Sequence, residues 1–217
     1  MHAIPEQPNA SVMTEITRFD PTKVEGEYAK SKAMAANYVL DAVREQGLDA
    51  CIIQPSGIIG PYDFKVSHLT QLIIDVAAGR LRAGVKGGYD FVDVRDVVAG
   101  ILAACEKGRP GECYILSNRY VAVPDLLAMI TKATNQKPIK VFMPMWLAKL
   151  AAPLAELYYN ARKQPPLYTK YSLYTLGSNA NFPHAKADRE LGYQARPTQE
   201  TINDTVAWLK SVGKIKI

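Results

Sequence analysis

Cysteine and histidine are scarce in this chain of 217 residues, with three of each, and their placement excludes several classes of function. Cys51, Cys105 and Cys113 have no C-x-x-C spacing and sit in apolar runs, which predicts buried, reduced thiols and no disulfide framework. His2, His68 and His184 lack metal-ligand spacing, so no zinc or two-metal constellation is expected. No N-terminal stretch combines a charged start with an apolar centre, and no apolar run reaches the length of a membrane span. The expectation is a cytoplasmic protein with no membrane partner. Phosphate-cradling glycines are missing as well. No G-x-G-x-x-G or G-x-x-G-x-x-G follows a strand pattern, and there is no G-x-x-x-x-G-K-[ST]. The nearest stretch, GVKGG with Gly84, Gly87 and Gly88, leads into a strand pattern where a helix is needed, and reads as a loop.

What remains is an ordinary globular composition. A hydrophobic share of 48% and a charged share of 22% exclude disorder, collagen and a coiled coil. The net charge is +5, but the basic residues are scattered, and their densest group, Lys210, Lys214 and Lys216, has no interleaved aromatics. Nucleic acid is therefore not an expected partner.

Periodicity then organises the chain. The first twenty residues are polar and proline-containing, and read as a loop ending at Asp20-Pro21. A helix is predicted from Val24 to Gln46, stopped by Gly47. LDACIIQP follows as a strand buried on both faces, as in a parallel sheet, and SGIIGPYD as a Gly/Pro loop at its carboxyl end, where open α/β sheets bind ligands. Helix 68–78, strand 89–94, helix 96–106, strand 111–118, a helix over DLLAMITKATNQ and the strand IKVFMP continue the alternation, which predicts an α/β fold. Asp96 is the expected N-cap of the 96–106 helix, and Arg95 an ion-pair partner. From about residue 144 the sequence turns mainly helical, with MWLAKLAAPLAELYYNAR, a tyrosine-rich stretch, NFPHAKADRELG and a last helix. That helix has Thr198 as expected N-cap and Ile202, Val206 and Leu209 on one face. Two regions result: 1–143, and a smaller mainly helical lobe, 144–217. Tyr158, Tyr159, Tyr168, Tyr171 and Tyr174 in that lobe either pack or floor a pocket for a flat substrate.

One pair of residues carries chemistry. In EYAKSKA, Tyr28 and Lys32 stand at i, i+4 and so share a helical face. A neighbouring ammonium stabilises phenolate, which lets a tyrosine exchange a proton with an alcohol or carbonyl near neutral pH.

Taken in order, the features resemble the extended short-chain dehydrogenase/reductase superfamily, including its NAD-dependent epimerase/dehydratases and its dihydroflavonol reductase-like and 3β-hydroxysteroid dehydrogenase-like enzymes. Tyr28-Ala-Lys-Ser-Lys32 is similar to the family's Y-x-x-x-K. Pro55-Ser-Gly-Ile-Ile-Gly-Pro61 is similar to its post-strand R-P-x-x-V-Y-G-P loop, and Phe91-Val-Asp-Val-Arg-Asp96 to its strand-to-helix turn. KADRELGY, 186–193, is similar to its closing element.

The resemblance implies an incomplete Rossmann-type parallel sheet with a smaller, mainly helical substrate lobe. It implies an enzyme that transfers hydride between a nicotinamide and a carbon bearing oxygen. Tyr28 would be the acid/base and Lys32 would hold the nicotinamide ribose. Pro55, Ser56, Gly57 and Ile58 would lie against the nicotinamide, chiefly through backbone. NAD and NADP both remain open as cofactor, because the turn and the acidic or basic residue that choose between them belong to the first half of the fold. The family's catalytic serine is likewise not found, since His2-Ala-Ile-Pro5 resembles the continuation of its run. His2, and His68 at its helix start, are the candidate substrate contacts.

The chain is thus expected to be the C-terminal portion of a reductase, acting on a small-molecule carbonyl or secondary alcohol. A nucleotide-sugar epimerase or dehydratase is the alternative within the family. The alternative of another class is a non-catalytic fragment acting through a homodimer or a complementing N-terminal half.

Overall fold

Gly26 and Gly47 bound the longest helix among the described residues, α1, which runs Glu27–Gln46. Gly47 is left-handed at φ 68°, its N–H bonding the Val43 carbonyl and the Leu48 N–H the Ala42 carbonyl, which closes the helix where the glycine predicts. The start lies three residues later than the periodicity indicates. Asp20 caps a short 3-10 turn, Pro21–Lys23, and Gly26 at φ 87° breaks the path before Glu27. The computed structural model describes residues 2–8, 11–150 and 170–216.

The chain is α/β and divides into two interleaved units. The first is built from Met1–Ile58, Asp90–Arg119 and Asn179–Arg196, the second from Ile59–Tyr89, Tyr120–Ser178 and Pro197–Ile217. In the first unit, β1 (Ile52–Pro55) and β5 (Cys113–Leu116) pair in parallel, with Ile52 opposite Cys113 and Pro55 opposite Leu116. α3 (Val94–Lys107) and α6 (Ala185–Leu191) cover one face of this pair. Val92, Val97, Ala104, Tyr114, Leu116, Ala187, Leu191 and Tyr193 form their common core. The KADRELGY segment therefore belongs with β5, and the late part of the chain is divided between the units. On its outer side, the N-terminal loop buries Met13 and Phe19, and Glu15 accepts the Ile115 N–H at 3.1 Å.

In the second unit, β3 (Ala83–Val85) and β7 (Val141–Met143) pair in parallel. α4 (Val123–Ala133) packs on β3, on α2 (His68–Ala77) and on α7 (Thr198–Ser211). Ile202, Val206 and Leu209 of α7 are all buried, as their stripe predicts. Residues 145–150 are helical, and α5 spans Lys170–Gly177. Tyr158, Tyr159 and Tyr168 lie outside the described residues, while the rings of Tyr171 and Tyr174 are 6.4 Å apart and tilted.

Several local expectations are corrected. The Gly/Pro loop after β1 contains a short strand, β2 (Gly57–Ile59), and GVKGG is mostly strand, with Gly84 and Val85 in β3 and β4 (Gly88–Asp93) beginning at Gly88. The N-cap of α3 is Asp93, whose carboxylate accepts the Arg95 N–H at 2.8 Å, because the helix begins at Val94 and leaves Asp96 in its first turn. Thr198 is the first residue of α7, with Pro197 at the cap position. Of the three thiols, Cys113 is buried, Cys51 half-buried and Cys105 exposed on α3.

Candidate active site

Small residues set how α1 lies. Ala29 and Ala33 are fully buried, which turns the opposite face outward and leaves Tyr28 58% exposed. The Lys32 Nζ stands 5.6 Å from the centre of the Tyr28 ring, over the ring as the i, i+4 spacing requires. Lys30 points elsewhere and bonds Glu27 at 2.9 Å. The imidazole of His2 meets the Tyr28 ring edge-on, centroids 6.2 Å apart. Burial pushes His2 down to about 4, so it is neutral at physiological pH and offers one N–H donor and one nitrogen acceptor. Tyr28, Lys32 and His2 thus form one group in the first unit.

The second predicted element, Pro55 to Ile58, follows β1 in the same unit. Ser56 is buried, and its N–H bonds the Leu116 carbonyl at 3.1 Å. Its hydroxyl donates to the carboxylate of Asp90, which also accepts the Asn118 N–H at 3.0 Å. Burial pushes the Asp90 carboxyl above the usual carboxylate range, against the pull of these two donors. Ile58 is 43% exposed. Gln54, one residue before Pro55, is buried with its Oε1 unbonded among the described residues.

His68 is not part of this group. It is the exposed first residue of α2 in the second unit, where Asp63 holds the helix start by accepting the Ser67 N–H at 2.7 Å and the Thr70 hydroxyl at 2.6 Å. Asp93, Arg95 and Asp96 form ion pairs. Arg95 grips Asp93 through two nitrogens at 2.9 and 2.7 Å, and Arg196 grips Asp96 at 2.8 and 2.7 Å. His184 is half-buried at the start of α6, its ring 5.4 Å from Tyr193. Asp90 and Asn118 escape sequence reasoning: the one signal is Asp90, a carboxylate set between Tyr89 and Phe91 in the strand pattern. Among the described residues no cluster of three or more His, Cys, Asp or Glu side chains could hold a metal ion, and no helix is long and apolar enough to cross a membrane.

The chain is similar to known proteins. Residues 3–117 match the model of the NAD dependent epimerase/dehydratase family. Sterol demethylase protein B of Methylococcus capsulatus is 34% identical over 194 residues, 87% of this chain and 58% of the relative. A 3beta-hydroxysteroid-dehydrogenase/decarboxylase of Arabidopsis thaliana is 27% identical over 205 residues, 86% of this chain and 46% of the relative. The chain therefore spans about half to three fifths of the length of these proteins. The crystal structure of gox2253 superposes with a TM-score of 0.81 at 32% identity, covering 99% of this chain and 65% of that one. A nucleoside-diphosphate-sugar epimerase from Pseudomonas aeruginosa superposes at 0.77 with 21% identity, covering 100% of this chain and 66% of that one, a likeness of fold. The fold is thus of the Rossmann type, and the chain belongs to the NAD dependent epimerase/dehydratase family, within the extended short-chain dehydrogenase/reductase superfamily.

Proposed function

We propose that the chain is the carboxyl-terminal part of an NAD(P)-dependent oxidoreductase that interconverts a carbonyl and a secondary alcohol. The observation that carries this reading is the grouping of an exposed tyrosine, a lysine over its ring and a neutral histidine at its edge. Solved structures of the same fold hold NAD in one case and NADPH in another.

The residues present fit the nicotinamide half of such a cofactor. Lys32 is an exposed ammonium, Tyr28 an exposed phenol, and Gln54 a buried amide oxygen in want of a donor beside the Pro55–Ile58 turn. Pro55, Ser56, Gly57 and Ile58 would line the nicotinamide and Lys32 would hold its ribose. When bound, a nicotinamide supplies or accepts the hydride. Tyr28 Oη delivers a proton to the substrate oxygen in reduction and removes it in oxidation. Lys32 stabilises the phenolate left behind, and His2 accepts or donates a hydrogen bond beside it without adding charge. Since the sequence has no glycine-rich phosphate turn, a further segment carrying one completes the dinucleotide site.

Two of the relatives carry sterol or steroid in their names, so sterol secondary alcohols head the substrate panel. With the segment supplied from a family member, Tyr28→Phe should cut turnover by about 10²–10⁴-fold, the usual contribution of a positioned acid/base. Undiminished turnover in Tyr28→Phe contradicts the assignment. The family description favours a second reading, epimerisation or dehydration, with a nucleotide sugar as the substrate to try because the Pseudomonas aeruginosa neighbour is a nucleoside-diphosphate-sugar epimerase. Turnover of nucleotide sugars with no turnover of simple alcohols would select it.

A further inference from the structure

Asp90 is 1% exposed in the middle of β4, where a carboxylate is an expensive choice unless it is fully bonded and useful. One of its oxygens takes both available donors, the Ser56 hydroxyl and the Asn118 N–H. These donors stand at corresponding places. Ser56 follows the last residue of β1, Asn118 comes two residues after the end of β5, and the two strands pair in parallel up to Pro55 and Leu116. Asp90 therefore joins the carboxyl ends of two neighbouring parallel strands, the edge at which open α/β sheets take their ligands.

The tie also decides how the turn presents itself. Ser56 is held twice, by its N–H on the Leu116 carbonyl and by its hydroxyl on Asp90. Its side chain is spent inward. Immediately after it come Gly57, which offers only backbone, and Ile58, which is exposed. Ser56 is the single residue between β1 and β2, so pinning it fixes how the two strand ends present Pro55, Gly57 and Ile58, which is how a binding surface avoids the entropy of ordering its residues.

We infer that Asp90 is a positioning residue: through the Ser56 hydroxyl it fixes the β1–β2 junction, Pro55–Ile58, in the conformation that receives the nicotinamide end of the dinucleotide. Asp90 itself touches no ligand, and Ser56 contributes its position and backbone. The assignment rests on the oxidoreductase reading above.

The test follows NADH and NADPH affinity by fluorescence, with the segment supplied if the chain requires it, in parent, Asp90→Ala, Asp90→Asn, Ser56→Ala and the Ser56→Ala/Asp90→Ala double variant. Amide exchange of residues 56–59 is measured beside it without cofactor. Asp90→Ala and Ser56→Ala should each weaken binding at least tenfold and speed exchange in the turn. The double variant should be no worse than Asp90→Ala alone, because both changes break one tie. Asp90→Asn keeps an acceptor oxygen and should recover binding to within a few-fold of the parent. Parent-like affinity in Ser56→Ala and Asp90→Ala overturns the assignment. So do additive losses, or exchange that rises throughout the first unit in step with the loss of binding, the mark of a merely structural tie. Should Asp90→Ala fail to fold, Ser56→Ala, which removes only a hydroxyl, decides. A parent that binds neither dinucleotide defeats the oxidoreductase reading and the assignment with it, whereas a binding parent with unaffected variants defeats the assignment alone.

Discussion

His2 shows how burial and chemistry meet in one side chain. The folded chain resists protonating it until about pH 4, whereas an exposed histidine protonates near 6.5. The unfolded chain therefore binds the proton first as pH falls. The contribution of His2 to stability is complete above pH 6.5 and is lost as pH drops from there toward 4. Urea unfolding at pH 7, 5.5 and 4.5 should show that decline, and His2→Phe, which keeps an aromatic edge on Tyr28, should flatten it. An identical slope in His2→Phe would assign the decline to other groups. Tyr28 and Lys32 are legible in the sequence because their contact is local, four residues along one helix. The Ser56–Asp90 and Asn118–Asp90 bonds span 34 and 28 residues and exist only once strands are paired, so nothing in the linear pattern announces them.

At the scale of elements, the packing of α3 on β5 depends on a residue with no side chain. A Cβ placed on Gly100 would stand 2.6 Å from Leu116 Cδ1 and 3.2 Å from Tyr193 Cδ2, and both of those residues are buried in the shared core. Gly100→Ala should cost about 1–3 kcal/mol, the range for overpacking a filled core, read as a lower urea midpoint with unchanged slope. A gain in stability, as expected of alanine on an open helix face, would mean that the interface yields freely. The alternation of helix and strand was visible because buried parallel strands are continuous apolar runs and the helices keep their 3.6-residue period. Boundaries were less so. β2 and β3 are three residues each, too short for a period, and lie in stretches whose glycines and prolines read as turns. Asp93 takes the cap role expected of Asp96 because β4 passes into α3 with no loop between them.

For the whole molecule, the interleaving of two units from three segments each was not readable, since it depends on which elements meet in space. The first unit exposes Met34 and Tyr38 on α1 and Val98, Ile101 and Leu102 on α3, a large amount of apolar side chain for one unit to leave in water. Sedimentation of the chain alone should therefore show self-association, reduced when the segment bearing the glycine-rich turn is added. A monomer in both states would contradict that expectation. The most direct test of the central claim is titration of NADH and NADPH into the purified chain, with and without that segment, in parent and Tyr28→Phe/Lys32→Ala protein. The oxidoreductase account predicts saturable binding by the parent once the site is complete, and loss of that binding in the double variant. Absence of binding in both states, or binding indifferent to Tyr28 and Lys32, would contradict it.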